Sequence, residues 1–347
     1  MSPQPRTAYS THAITLCAAL ALSACGGGGE SGAGSTTPSE PTTEQRTQAA
    51  QATAASQPSC VAAQPFYWEV GNAQATLGSG TAGGNTYGAS TVMPIASASK
   101  WVYASYVVQK RGGVQQLSST DITQLHFTSG YSIFNPLTCT SSDTVGSCNA
   151  LTGYDANTLN QFDYGGGHMQ RHADVEMGLG ALDAAGFTTE LLGQLSGVSL
   201  YFNSPQPGGG GYASAANYGA LLRKIMSGQL LMQGALGTHA VCANPGTCQV
   251  PDNTAAYSPI PSTETWHYSI GHWVEDDPGV GDGAFSSPGA YGFYPWIDRS
   301  KTTYGLLARF DPTGQSISDP AQKPYFRSIA CGRLIRKAWF SGQAVTQ

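Results

Sequence analysis

Hydrophobic and polar positions divide the chain into parts of very different character. Residues 13–24 form one unbroken apolar run, AITLCAALALSA, shorter than the ~20 residues a helix needs to cross a bilayer. Residues 26–58 read GGGGESGAGSTTPSEPTTEQRTQAAQATAASQP and, three prolines apart, hold no apolar side chain larger than alanine. Such a stretch cannot build a core and predicts a flexible tether over 25–59, with a root-mean-square reach of about 30 Å. From residue 65 periodic patterns begin. PFYWEVGNAQATLGSG (65–80) alternates and turns at glycine, which predicts opening strands. From Ser97 the period becomes helical, with Trp101, Ala104, Val107 and Val108 on one face until Arg111-Gly112-Gly113 ends it.

Residues 114–265 are irregular, with helical segments near 168–185 and 213–227 between loops rich in glycine and proline. Strand patterns return at 266–275, 290–298 and 302–310, and 324–340 predicts a closing helix. Strands at both ends around a helical middle imply an α+β fold. The expected arrangement is an antiparallel sheet flanked by helices, its first and last strands adjacent, with an inserted, mainly helical subdomain. The α/β part would comprise 60–116 and 266–347, and the insertion 117–265.

Charge changes the picture little. Charged residues are 11% of the chain and the formal net charge is −5. Without a cluster of Lys and Arg there is no electrostatic footprint for nucleic acid. The cysteines say more. Setting aside Cys17 and Cys25, six remain, and six cysteines allow fifteen pairings. CTSSDTVGSC (Cys139, Cys148) and CANPGTC (Cys242, Cys248) look like locally closed loops, which leaves Cys60 to join Cys331 across the domain. No CxxC occurs and no histidine lies at finger spacing, so a zinc site is not expected.

The apolar run follows a segment with Arg6 and no acidic residue, the layout of a secretory signal over 1–24. It closes on Leu22-Ser23-Ala24-Cys25-Gly26, which resembles the lipobox of bacterial lipoproteins. That resemblance implies acylation of Cys25, export, and anchoring on the periplasmic side of a bacterial membrane, the Gly26 pattern favouring the outer membrane.

The helix opening at residue 97 carries Ser97 and Lys100 at i and i+3, on one face and about 5–6 Å apart at Cβ. A neutral amine beside a hydroxyl can take its proton as the oxygen attacks a carbonyl, and N–H groups at the helix start can hold the oxyanion. Bringing a lysine from about 10.4 to 7 costs about 4–5 kcal/mol of differential solvation, so the site must be largely buried. Spacing alone recurs by chance, and context decides.

PIASASKWVYASYVV resembles the nucleophile segment of the serine β-lactamase and penicillin-binding-protein superfamily. ITQLHFTSGY (122–131), NQFDYGGGHMQ (160–170), NSPQPGGGGYASAANYGALLRKIMSG (203–228) and FSSPGAYGFYPWID (285–298) resemble, in order, the later segments of that superfamily. The likeness spans nearly all of 64–340 and is nearest to the esterase and 6-aminohexanoate-oligomer-hydrolase-like branch. It implies a β-lactamase/transpeptidase-like fold with Ser97 as nucleophile, Lys100 as base and Tyr164 as proton relay. Tyr212 is the competing tyrosine. Backbone N–H groups of Ser97 and Ala290 would form the oxyanion hole, with Gly289 admitting close approach of substrate.

Two departures bear on substrate. Gly166 stands where many relatives carry asparagine, and Ser287 replaces the lysine or histidine of the third motif. Losing that cation removes a charge-assisted hydrogen bond to a substrate carboxylate, worth about 1.5–3 kcal/mol. A neutral small-molecule ester or amide is therefore expected. The alternatives are a β-lactamase or D,D-carboxypeptidase, and a non-catalytic surface lipoprotein that keeps the fold for binding. His168, His172 and Glu176 share a helical face at i, i+4 and i+8, which a hydrogen-bonded face explains as well as a metal does. His267 and His272 are read as strand caps or cleft lining. No cofactor is expected.

Overall fold

The structure, a computed structural model, describes residues 39–248 and 255–346. Residues 1–38, with the signal segment and Cys25, lie outside the described residues. The predicted tether is corrected at once. Thr43–Ser56 is a helix, α1, opened by a capping box in which Thr42 and Gln45 serve each other's backbone N–H. Its buried side is Ala49, Ala50, Thr53 and Ala54. Small side chains give almost no apolar stripe, yet they let a helix lie close against its neighbours. The folded unit therefore begins near Pro41 rather than at residue 60.

A short helix α2 (Pro58–Val61) leads into β1 (Phe66–Gly71) and β2 (Thr76–Ala82). β3 (Met93–Pro94) precedes the central helix α3 (Ser99–Arg111). Residues 99–108 of α3 are buried all round, so the predicted single apolar face understates its place at the centre of the core. Four short helices follow: α4 (Ser119–Leu125), α5 (Val145–Asn149), α6 (Gly167–Arg171) and α7 (Ala184–Gln194). β4 (Phe162–Asp163) lies between α5 and α6, and β5 (Tyr201–Phe202) and β6 (Gly211–Ala213) follow α7. Then come α8 (Ala215–Met226), α9 (Met232–Ala235) and β7 (Val241–Cys242). The chain ends with β8 (Ala255–Tyr257), β9 (His267–Tyr268), β10 (Trp273–Glu275), β11 (Ala284–Ser286), β12 (Tyr294–Ile297), β13 (Tyr304–Ala308) and α10 (Pro324–Ser341).

Eight strands form one antiparallel sheet in the order β2-β1-β13-β12-β11-β10-β9-β7, so the first and last strands are neighbours as expected. Alternation on β1 shows the two layers covering it. Trp68 turns to α1, donating from Nε1 to Gln51 Oε1 at 3.0 Å, while the Glu69 carboxyl lies against Gly219 of α8. α1 packs along α10, and Cys60–Cys331 fastens α2 to α10. Cys139–Cys148 and Cys242–Cys248 close the two local loops.

The insertion is less separate than its predicted bounds, 117–265, imply. α8 packs against β12 and β13, and β7 extends the large sheet by pairing with β9. The helical stretch predicted over 168–185 is also broken. α6 runs into a π-helical turn at His172–Glu176, and α7 starts afresh with Asp183 as its cap. Two small pairings, β3-β6-β5 and β4-β8, draw the insertion over the N-terminal end of α3.

Candidate active site

Ser97 sits in a single 3₁₀ turn (Ala96–Ala98) that feeds α3. Ala96 before it has φ +44°, a left-handed conformation that costs an alanine about 1–2 kcal/mol and has to be imposed by its surroundings. The surroundings do so from three sides. Ile95 N–H donates to the Gly211 carbonyl at 3.0 Å, Tyr218 Oη donates to the Ala98 carbonyl at 2.8 Å, and Ser287 Oγ donates to the Ser97 carbonyl at 3.1 Å. Ser99 Oγ accepts from Gly211 N–H at 3.0 Å.

One turn on, Lys100 brings Nζ to 3.1 Å from Ser97 Oγ. The lysine is buried, 6% exposed, and its other hydrogen-bond partner is the Gly208 carbonyl at 2.6 Å. Among the described residues no carboxylate bonds it. Burial alone drives its pKa from 10.5 down to about 7. A neutral amine has two N–H groups and a lone pair, so it can donate to Gly208 and still accept the proton of Ser97.

Tyr164 follows β4, and its backbone N–H donates to the Tyr257 carbonyl at 3.1 Å. Its ring centroid is 4.9 Å from Lys100 Nζ and it packs against Phe127 and Trp273. Burial pushes the phenol up to about 12, while the Ser97 hydroxyl and Trp273 work the other way. Tyr164 is thus a neutral phenol within reach of the Ser97 hydroxyl, suited to carrying a proton. Gly166 explains its own departure from asparagine: a Cβ there would stand 2.8 Å from the Phe134 ring.

Ser287-Pro288-Gly289 continues from the end of β11. That strand is paired on both sides, since β10, β9 and β7 extend the sheet beyond it. Gly289 is required by close approach of backbone, because a Cβ there would lie 2.2 Å from the Ile95 carbonyl oxygen. That contact sets Ala290 beside the nucleophile turn.

Ser97, Lys100, Tyr164, Gly166 and Ala290 all line one cavity of about 650 Å³. A smaller cavity of about 70 Å³, which shares Ser97, Tyr164 and Ala290 with the first, is walled by Pro259, Ile260, Trp273, Pro288 and Tyr325. Ser287 and Gly289 stand behind the turn rather than in the large cavity. Tyr212 lies apart, on β6, stacked on Tyr201 with centroids 5.2 Å apart. Sequence reasoning gave no role to Gly208 or Asp163; the GGGG run at 208–211 was visible, but only folding shows which carbonyl meets Lys100. His168 and His172 serve the scaffold. His168 bonds Ser129 Oγ and the Asp163 carbonyl, and His172 bridges Tyr103 Oη and Asp121. His272 is buried against Trp101, and His267 pairs with Asp276; neither lines either cavity.

No protein-family model matches the chain, and no curated protein matches it in sequence. Solved structures do match. A protein from Bacteroides dorei provisionally named a β-lactamase superposes with TM-score 0.56 at 20% identity, over 79% of this chain and 93% of that one. The chain has the β-lactamase/transpeptidase-like fold. A D-stereospecific amidohydrolase from Streptomyces (TM-score 0.55, 13% identity) covers 88% of this chain with 100% of its own length. The D-amino acid amidase of Ochrobactrum anthropi SV3 (0.54, 11%) covers 80% with 96% of its own. The α+β expectation, with its antiparallel sheet and flanking helices, stands.

Proposed function

We propose that this protein is a serine hydrolase that cleaves an ester or amide through an acyl-enzyme on Ser97. The observation that carries the reading is the buried Lys100 amine, 3.1 Å from Ser97 Oγ and with no ion-pair partner among the described residues. Lys100 takes the hydroxyl proton as Oγ attacks the carbonyl carbon. The Ser97 and Ala290 N–H groups receive the oxyanion. The Tyr164 phenol passes a proton to the leaving group, which departs, and water then releases the acyl group along the reverse path. Likeness in fold to amidases and β-lactamases supports this class of chemistry.

Against a penicillin-directed activity stands the third motif. Ser287 spends its hydroxyl proton on the Ser97 carbonyl and brings no cation for a substrate carboxylate. The signal and lipobox pattern supports an exported protein anchored to a bacterial membrane through acylated Cys25. A fluorophosphonate probe tests the mechanism: the wild type is labelled on Ser97, and Ser97→Ala is not. Equal labelling of the two would refute it.

A further inference from the structure

The carbonyl that receives Lys100 belongs to Gly208, the first of four consecutive glycines. Glycine loses more backbone freedom on folding than any other residue, so such a run does not hold one conformation by itself. Here the hold comes from outside. Gln206 is buried, and its Nε2 donates to the Pro136 carbonyl at 2.9 Å and to the Cys139 carbonyl at 2.6 Å. Its own carbonyl accepts from Gly209 N–H at 3.2 Å and Gly210 N–H at 3.0 Å, closing the turn that presents Gly208. One residue earlier, the Pro205 carbonyl accepts from Gln170 Nε2 at 3.1 Å, and the same nitrogen donates to the Val145 carbonyl at 3.0 Å. Cys139 and Val145 both belong to the loop that Cys139–Cys148 closes. Two buried glutamines thus hang the glycine turn from that loop. Pro136, just ahead of the loop, lines the large cavity together with Gln206 and Gly208.

We propose that Gln206 is a positioning residue, which fixes the Gly208 carbonyl against Lys100 by tying the glycine turn to the Cys139–Cys148 loop. This rests on the hydrolase reading of Ser97 and Lys100. The amine keeps its place 3.1 Å from Ser97 Oγ while the carbonyl holds its other side. Once the turn is released, the carbonyl leaves the amine, water reaches it, and Lys100 regains part of the hydration lost on burial. The disulfide, distant in sequence from both residues, then supports the reaction as well as the fold.

Gln206→Met keeps the length of the side chain and removes both of its bonds. On the whole chain it should lower the maximal rate of Ser97 acylation by p-nitrophenyl acetate at least about tenfold, with the half-saturating ester concentration within about threefold. The midpoint of the acid limb of that rate should move up by at least about half a pH unit, as water reaches Lys100. An unchanged rate, a loss confined to half-saturation, or an unmoved midpoint would overturn the proposal. Cys139→Ala with Cys148→Ala should act in the same way, and adding it to Gln206→Met should cost little more than either change alone. Losses that multiply would mean that loop and turn act separately, and would overturn it too. Should Gln206→Met not fold, the cysteine pair decides by the same rate, half-saturation and midpoint. If the wild type turns over no ester through Ser97, the hydrolase reading fails on its own. The titration of the Lys100 amine, followed by NMR of isotope-labelled lysine, then decides this proposal. Its midpoint should rise in Gln206→Met or in the cysteine pair, and a midpoint equal to that of the wild type would overturn it.

Discussion

Two of the places where the molecule buries cations treat them in opposite ways. Beneath the sheet, Arg336 and Arg333 on α10 meet Glu275 of β10. Arg336 Nη2 lies 3.2 Å and Arg333 Nε 3.0 Å from the carboxylate, and Tyr294 Oη donates to it at 2.6 Å. Burial would push the Glu275 carboxyl up, but the two arginines outweigh it and hold the group below its usual range. Arg336 gains further bonds from Asp282. Every charge there is answered, so nothing is left to react. Around Lys100 the immediate partners are a peptide carbonyl, a serine hydroxyl and an aromatic ring, and among the described residues no carboxylate bonds it. The same desolvation that the arginines survive brings the lysine down to about 7, so that about half of it is neutral at pH 7. Reactivity comes from withholding a partner, not from supplying one.

Breaking the answered site should have the largest effect on stability. Glu275→Gln leaves Arg336 short of a counter-ion in the core and should cost about 3–5 kcal/mol in chemical denaturation. A loss under about 1 kcal/mol would mean the cluster is not the paired network described. Breaking the unanswered site should do the reverse. Lys100→Met should lower ester turnover at least about a hundredfold, the scale of a lost proton-transfer group, yet raise stability by about 1–3 kcal/mol at pH 7. The sign follows from linkage. A lysine held at about 7 in the fold and near 10.5 unfolded costs stability fully below pH 7, and the cost fades as pH rises toward 10.5. The gain from methionine should therefore shrink across that window. The finest test is the wild-type pH profile. Acylation should fall about tenfold per unit below pH 7, as Lys100 gains its proton, and level off above. A profile flat from pH 5 to 8 would exclude the amine as base.

Much of the site was legible because its chemistry is local. Ser97 and Lys100 are three residues apart, and the first turn of a helix fixes their meeting whatever surrounds it. Tyr164 was legible through its Gly-Gly neighbours in an ordered set of segments, and its rival Tyr212 was separated from it only by the fold. What escaped was anything that depends on close packing of small groups. The α1 helix was hidden because alanine and threonine leave no apolar period to see, although Ala50 and Ala54 are fully buried. The 168–185 helix breaks after Glu176, where Gly178 is left-handed (φ +68°) and Asp183 caps the next helix.

By itself the sequence determined the strand-bearing ends around a helical middle, the pairing of the cysteines and the serine–lysine step, since each rests on spacing along one chain. Only the tertiary structure decided that Lys100 has no ion-pair partner among the described residues although Asp163 faces the same cavity. The physical reason is that a charge's fate depends on what lies within a few ångströms of it. Those neighbours, Gly208 among them, come from segments a hundred residues away.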